Sequence, residues 1–217
     1  MISLRRTICS ILSALALTGC SLIQASAPQR IVRVRALVDQ PFRTRNSGWD
    51  REARGLIEAA SDYYEEEFGI KLVTVSVSAW PEDERVPSTP TLLARLQKQF
   101  PAPSADGSYD IAIAFTGENV SRILTAGRPR VDRIGNCSQG LARYIVLPTR
   151  KPFHYTGQTS DLDADVIALI HEIGHVFGAE HVEDINSIMN ENFDYRSQFD
   201  AKNRSIIQNN RACPFAK

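Results

Sequence analysis

Residues 171–181 read His171-Glu172-Ile173-Gly174-His175-Val176-Phe177-Gly178-Ala179-Glu180-His181, and they close an apolar run that begins near Val166. Within a helix, His171 and His175 stand one turn apart on the same face, so both imidazoles can point at one cation. Gly178 can adopt the positive φ that ends the helix and turns the chain, which lets His181 approach the same point from below. Three neutral imidazoles leave a fourth coordination position open, the donor set of a catalytic zinc site, whereas a structural site is closed by four protein ligands. His171, His175 and His181 are therefore the candidate ligands of one catalytic Zn2+. Glu172, set between them, has the position of a general base that takes a proton from water and passes it to a leaving amine. The remaining histidine, His154, has no partner at ligand spacing and reads as a surface residue.

Outward from the motif, the helix spans Asp163 to Phe177, with Ser160 and Asp163 in capping-box spacing. Asp161, Asp163 and Asp165 suit the positive end of a helix dipole, a simpler reading than a calcium site. Upstream, Ile31 to Val38 alternates with the period of a strand, and Ser47 is placed to cap a helix from Trp49 to Phe68 that Gly69 ends. Lys71 to Trp80 alternates and is rich in β-branched residues, Thr91 to Phe100 has helical character, and Tyr109 to Thr116 reads as a buried strand. Residues 117–140 are irregular with room for a short edge strand, Ala142 to Leu147 is a further strand stopped by Pro148, and Asp200 to Arg211 is a last helix. Strands and helices alternate, so the fold class is α/β.

The eleven residues resemble the metzincin zinc signature, and Ser187-Ile188-Met189-Asn190 resembles the Met-turn that follows it. Five fixed identities at fixed spacing arise by accident on the order of once in 10⁵ chains of this size. The resemblance implies a mixed, mostly parallel twisted sheet of about five strands, a zinc-site helix, and a small irregular C-terminal subdomain ending in a helix. It also implies a zinc endopeptidase acting on peptides or proteins bound in extended form along an edge strand, which here is expected within residues 136–144. Met189 would form an apolar floor under the metal, and the helix at Thr91 to Phe100 would be an insertion. One departure stands out: some metzincins carry Tyr two residues after the Met, and this chain has Glu191 there. Tyr195 receives no role, and no oxyanion donor beyond the ion is assigned. Two rival readings remain, a binding lipoprotein on the same scaffold without turnover, and a zinc hydrolase of a non-peptide amide.

The chain has 217 residues and a formal net charge of zero, which suits one ordinary core and supplies no basic stripe for nucleic acid. Arg5 and Arg6 followed by the apolar run Ile8 to Leu17 read as an export signal, and that run is too short to span a bilayer. Leu17-Thr18-Gly19-Cys20 resembles the lipobox of bacterial lipoproteins, which implies cleavage before Cys20 and its acylation. The alternative is a plain secretory signal cut after Ala25-Ser26-Ala27. The expected organisation is a signal over 1–19, a lipidated Cys20 and tether over 20–30, and a catalytic domain over 31–217, outside the cytoplasm and anchored to a membrane. With Cys9 lost and Cys20 lipidated, Cys137 and Cys213 remain, and an oxidising compartment favours their pairing over two separate thiols.

Overall fold

A computed structural model describes residues 30–81, 88–102, 108–117, 128–157, 163–191 and 198–217. The leader, Cys20, Ser160, Asp161 and Tyr195 lie outside them. Strand β1 (Arg30–Val38) is the hub of the sheet, pairing in parallel with β2 (Ile70–Ala79) on one side and β3 (Ile111–Thr116) on the other. Strand β5 (Tyr144–Pro148) continues in parallel beside β3, and the two-residue β4 (Arg130–Val131) closes the edge antiparallel to β5. The result is a five-stranded, mostly parallel sheet in the order β2-β1-β3-β5-β4, as the sequence led us to expect.

All six residues of β3 are buried because both faces of the sheet are covered. Alternate side chains of one face, Val34, Ala36, Ile113, Phe115 and Ile145 among them, pack with helices α2 (Trp49–Phe68) and α4 (Ala164–Val176). The opposite residues, Leu37, Ala112, Ala114 and Val146, pack with Trp80 and with Leu92 and Leu96 of α3 (Thr89–Gln99). α2 and α4 are tied where the Tyr64 hydroxyl donates to the Ile170 carbonyl at 2.8 Å, wholly inside the core. That bond fixes the height of the motif helix over the sheet.

Several local expectations change. A short helix α1 (Gln40–Arg45) follows β1, capped by Asp39, whose carboxylate accepts from the Phe42 amide at 2.8 Å. Ser47 does not cap α2; Gly48 holds that position without a side-chain bond, and Asn46 accepts from the Gly48 amide at 2.9 Å. α4 is capped by Asp163 itself, which accepts from Asp165, so the helix starts one residue later than its spacing suggested. Asp165 is buried and accepts from the Arg150 amide at 2.8 Å, tying the helix start to the end of β5. The last helix, α5 (Ala201–Asn210), is followed by a tail whose Phe215 bridges in parallel to Leu141. Beside that bridge Cys137 is disulfide-bonded to Cys213, with their Cα atoms 5.1 Å apart.

Candidate metal centre

His171 and His175 lie in the last turns of α4, where every residue from Asp165 to Val176 is buried. Their Nε2 atoms are 3.1 Å apart, and each lies 3.1 Å from Nε2 of His181. A tetrahedral ion with Zn–N distances of about 2.0–2.1 Å separates its nitrogen ligands by roughly 3.3 Å, so this triangle is the right size for one. The other ring nitrogens decide the protonation. Nδ1–H of His171 donates to the Ile188 carbonyl and Nδ1–H of His175 to the Ala179 carbonyl, both at 2.7 Å. Nδ1 of His181 lies 2.8 Å from a carboxylate oxygen of Glu191. Carbonyls only accept, so the proton of each buried imidazole sits on Nδ1 and its Nε2 lone pair points into the triangle. Lone pairs converging at this distance repel one another unless a cation lies between them, and the donor set therefore fits a metal ion. Among the described residues this is the one cluster of His, Cys, Asp or Glu with metal-ligand geometry.

Burial also lowers the basicity of His175 to a pKa of about 4, with the Ala179 hydrogen bond only partly opposing it, so the ring is a neutral ligand near pH 7. His181 follows a sharp turn. Gly178 has φ of +95°, and a Cβ there would sit 2.5 Å from the Gly135 carbonyl oxygen, which excludes any larger residue. The turn is closed by amides of Gly178 and Ala179 donating to the carbonyls of His175 and Gly174.

Met189 is fully buried, and its sulfur lies 2.9 Å from where a Cβ on Gly174 would stand. Met189 therefore packs against α4 at Gly174, between the positions of His171 and His175. Its loop is held on both sides: the Val182 amide donates to the Met189 carbonyl at 3.1 Å, and the Ser187 hydroxyl donates to Asp200 at 2.7 Å. His171, the loop carbonyl of Ile188 and the cap of α5 are thereby linked in one network.

Glu172 is buried beside the triangle, and burial pushes its carboxyl up to about 8, opposed by the charge of Arg130. A cation held by the three imidazoles would stabilise the carboxylate and pull that value down. Glu172 and the imidazoles line a cleft of about 370 Å³ whose other wall is Arg128, Pro129, Arg130, Val131, Arg133 and Ile134. That wall contains β4, so the antiparallel edge strand is Arg130–Val131 and not a stretch within 136–144. The reason is local. Asn136 closes a tight turn by accepting from the Gln139 amide at 2.8 Å, and Leu141 is already paired with the C-terminal tail. The Cys137–Cys213 bond therefore fastens the turn behind the cleft wall rather than the edge strand itself.

His154 is exposed and apart from the site. The sequence did not reveal the partners of the Nδ1 atoms, because two of them are backbone carbonyls, nor the place of Arg130 on β4, because a two-residue strand has no readable period. Glu191 was visible as a departure from the motif, but its contact with His181 was not.

A family model described as metallo-peptidase family M12 (Reprolysin_5) matches residues 28–216. Among solved structures, archaemetzincin from Methanopyrus kandleri is 20% identical, with a TM-score of 0.52, over 82% of this chain and 95% of that one. At that identity the likeness is one of fold. No curated protein matches the chain. The family match runs from just before β1 to the residue after the Leu141–Phe215 bridge, and the chain belongs to metallo-peptidase family M12.

Proposed function

We propose that the chain is an endopeptidase that hydrolyses peptide bonds with one zinc ion at His171, His175 and His181 and with Glu172 as general base. The observation that carries this reading is the convergence of three Nε2 lone pairs beside a buried carboxylate on the floor of an open cleft. Zinc bound there would supply Lewis acidity toward the scissile carbonyl and the attacking water. Glu172 takes the proton from that water and delivers it to the departing amine, a transfer that its place in the lining of the cleft allows. Nδ1–H donation by His171 and His175 fixes both rings in the tautomer whose Nε2 faces the triangle. Substrate is held as an extended segment against β4, which has no strand on its outer side among the described residues. The test is cleavage of a mixed peptide library by the purified domain with and without a zinc chelator. Chelator-sensitive cleavage supports the reading, and zinc binding with no cleavage of any peptide turns it toward a binding protein or a non-peptide hydrolase.

The same reading places the domain outside the cytoplasm on a lipid anchor at Cys20. β1 begins at Arg30, so the intervening segment would reach at most about 35 Å and keep the domain close to the membrane. Incorporation of labelled fatty acid into the wild type but not Cys20→Ala supports it; a soluble, unlabelled product cut after Ala27 supports the secretory alternative.

A further inference from the structure

Three arginines, Arg128, Arg130 and Arg133, line the same cleft as the imidazoles, and they are not equivalent. Arg128 lies 3.5 Å from Glu191, which also lines the cleft, and Arg133 lies 3.4 Å from Asp132. Arg130 has no carboxylate at salt-bridge distance among the described residues, and its Nε is buried without a hydrogen-bond partner. Of the other arginines with a buried Nε, Arg45 bonds Glu52 and the Thr149 carbonyl, Arg35 lies over the rings of Phe100 and Tyr109, and Arg30 bonds the Cys213 carbonyl; Arg43 is as unmatched as Arg130 but does not line the cleft, so it is the position of Arg130 that sets it apart. A half-buried guanidinium is costly to leave unmatched, and its planar fork is shaped to receive a carboxylate. Its position matters as much. Arg130 is one of the two residues of the edge strand, so its partner would belong to whatever lies along β4 in the cleft. Glu172 lines the same cleft, but no hydrogen bond or ion pair joins it to Arg130.

We infer that the cleft selects peptides carrying a carboxylate that pairs with Arg130, either an acidic side chain or a free chain end held against β4. This rests on the peptidase reading above and adds the substrate class to it. A neutral isostere at the same place leaves Arg130 unmatched as it is in the free protein, so the carboxylate gives a discrimination and not merely an attraction. Arg128 and Arg133, each already paired, contribute the general field of the cleft and little of the discrimination.

The experiment compares zinc-loaded Glu172→Gln protein binding to fluorescent alanine-based hexapeptides, capped at both ends, in which one Glu is moved position by position and matched to the same peptide with Gln. A further pair carries a free or an amidated C-terminus. The expected result is about tenfold tighter binding of one Glu peptide, or of the free-ended peptide, than of its neutral match, weakening with salt. That ratio falls toward one in a background of Arg130→Gln and survives in Arg133→Gln. Which arm shows the preference identifies the source of the carboxylate. Equal binding of every charged and neutral pair in the unaltered wall overturns the inference while leaving the peptidase reading standing. Binding of no peptide at all overturns both. The comparison within Arg130-containing protein does not depend on how the substituted wall folds.

Discussion

Gly178→Ala tests how the turn places the third ligand. The residue has φ of +95°, a region that costs an L-residue about 1–2 kcal/mol. An added methyl would also meet the Gly135 carbonyl oxygen at 2.5 Å, the Asn210 amide nitrogen at 2.6 Å and Ile206 at 3.3 Å. The first of these is backbone, and Gly135 is held by its own amide donating to the His175 carbonyl at 2.9 Å, so it cannot retreat cheaply. Overpacking of this kind adds about 1–3 kcal/mol, for a total loss of roughly 2–5 kcal/mol. Gly157 is the internal control, because it also has positive φ, +83°, with nothing within 4 Å of its Cβ position. Gly157→Ala should cost only the backbone share, about 1–2 kcal/mol. Urea unfolding of both variants with chelator present measures stability, and zinc competition measures the site. Gly178→Ala should lose more of both, since relief of the contact moves His181 away from His171 and His175. Equal losses in the two variants would refute the claim that close packing, and not φ alone, requires glycine at 178.

Further outcomes follow from single contacts. Glu191→Ala removes the acceptor 2.8 Å from Nδ1 of His181 and should weaken zinc binding about tenfold in a chelator competition, with Glu191→Gln affected less; unchanged affinity in both would show that the contact does not support the ligand. Reducing the Cys137–Cys213 bond, which spans 76 residues, should cost about 4 kcal/mol in the chain-entropy account, read by denaturation under reducing and oxidising conditions, and unchanged stability and activity would remove its role. Asp110 is held in a bidentate pair by Arg33, and although burial pushes its carboxyl up, the Arg33 hydrogen bonds outweigh this and hold it below the ordinary value. Its stabilisation is present above the unfolded carboxyl pKa of about 4 and fades as pH falls through the lower folded value. Asp110→Asn should therefore cost about 1 kcal/mol near pH 7, discounted for the half-exposed arginine, and nothing in strong acid, and a pH-independent cost would contradict the pairing.

The site was legible because its signal is periodic and local: two histidines four apart, a glycine where the helix must stop, and a third histidine after the turn. The parallel strands were legible for a related reason, since runs such as Ile111–Thr116 are buried on both faces and are almost wholly apolar. What escaped was short or backbone-made. α1 spans six residues, too few for a hydrophobic period, although Asp39 followed by Pro41 carries its start signal. β4 has two residues, and its pairing with β5 depends on the sheet edge being free there while the tail occupies Leu141. Capping was misplaced by a residue or more at α2 and α4, because a serine at the right spacing does not reveal whether the chain has already entered the helix. The Nδ1 partners at Ile188 and Ala179 are carbonyls, which every residue has, so no side chain could mark them.

The most direct test of the central claim is a paired measurement of zinc content and peptide turnover in the wild type and Glu172→Gln. The three imidazoles are untouched by the substitution, and the account predicts one zinc per chain in both proteins, with chelator-sensitive turnover in the wild type and a loss of at least about 10²-fold in the variant. Turnover retained in Glu172→Gln, or zinc held after His171, His175 and His181 have all been replaced, would contradict it.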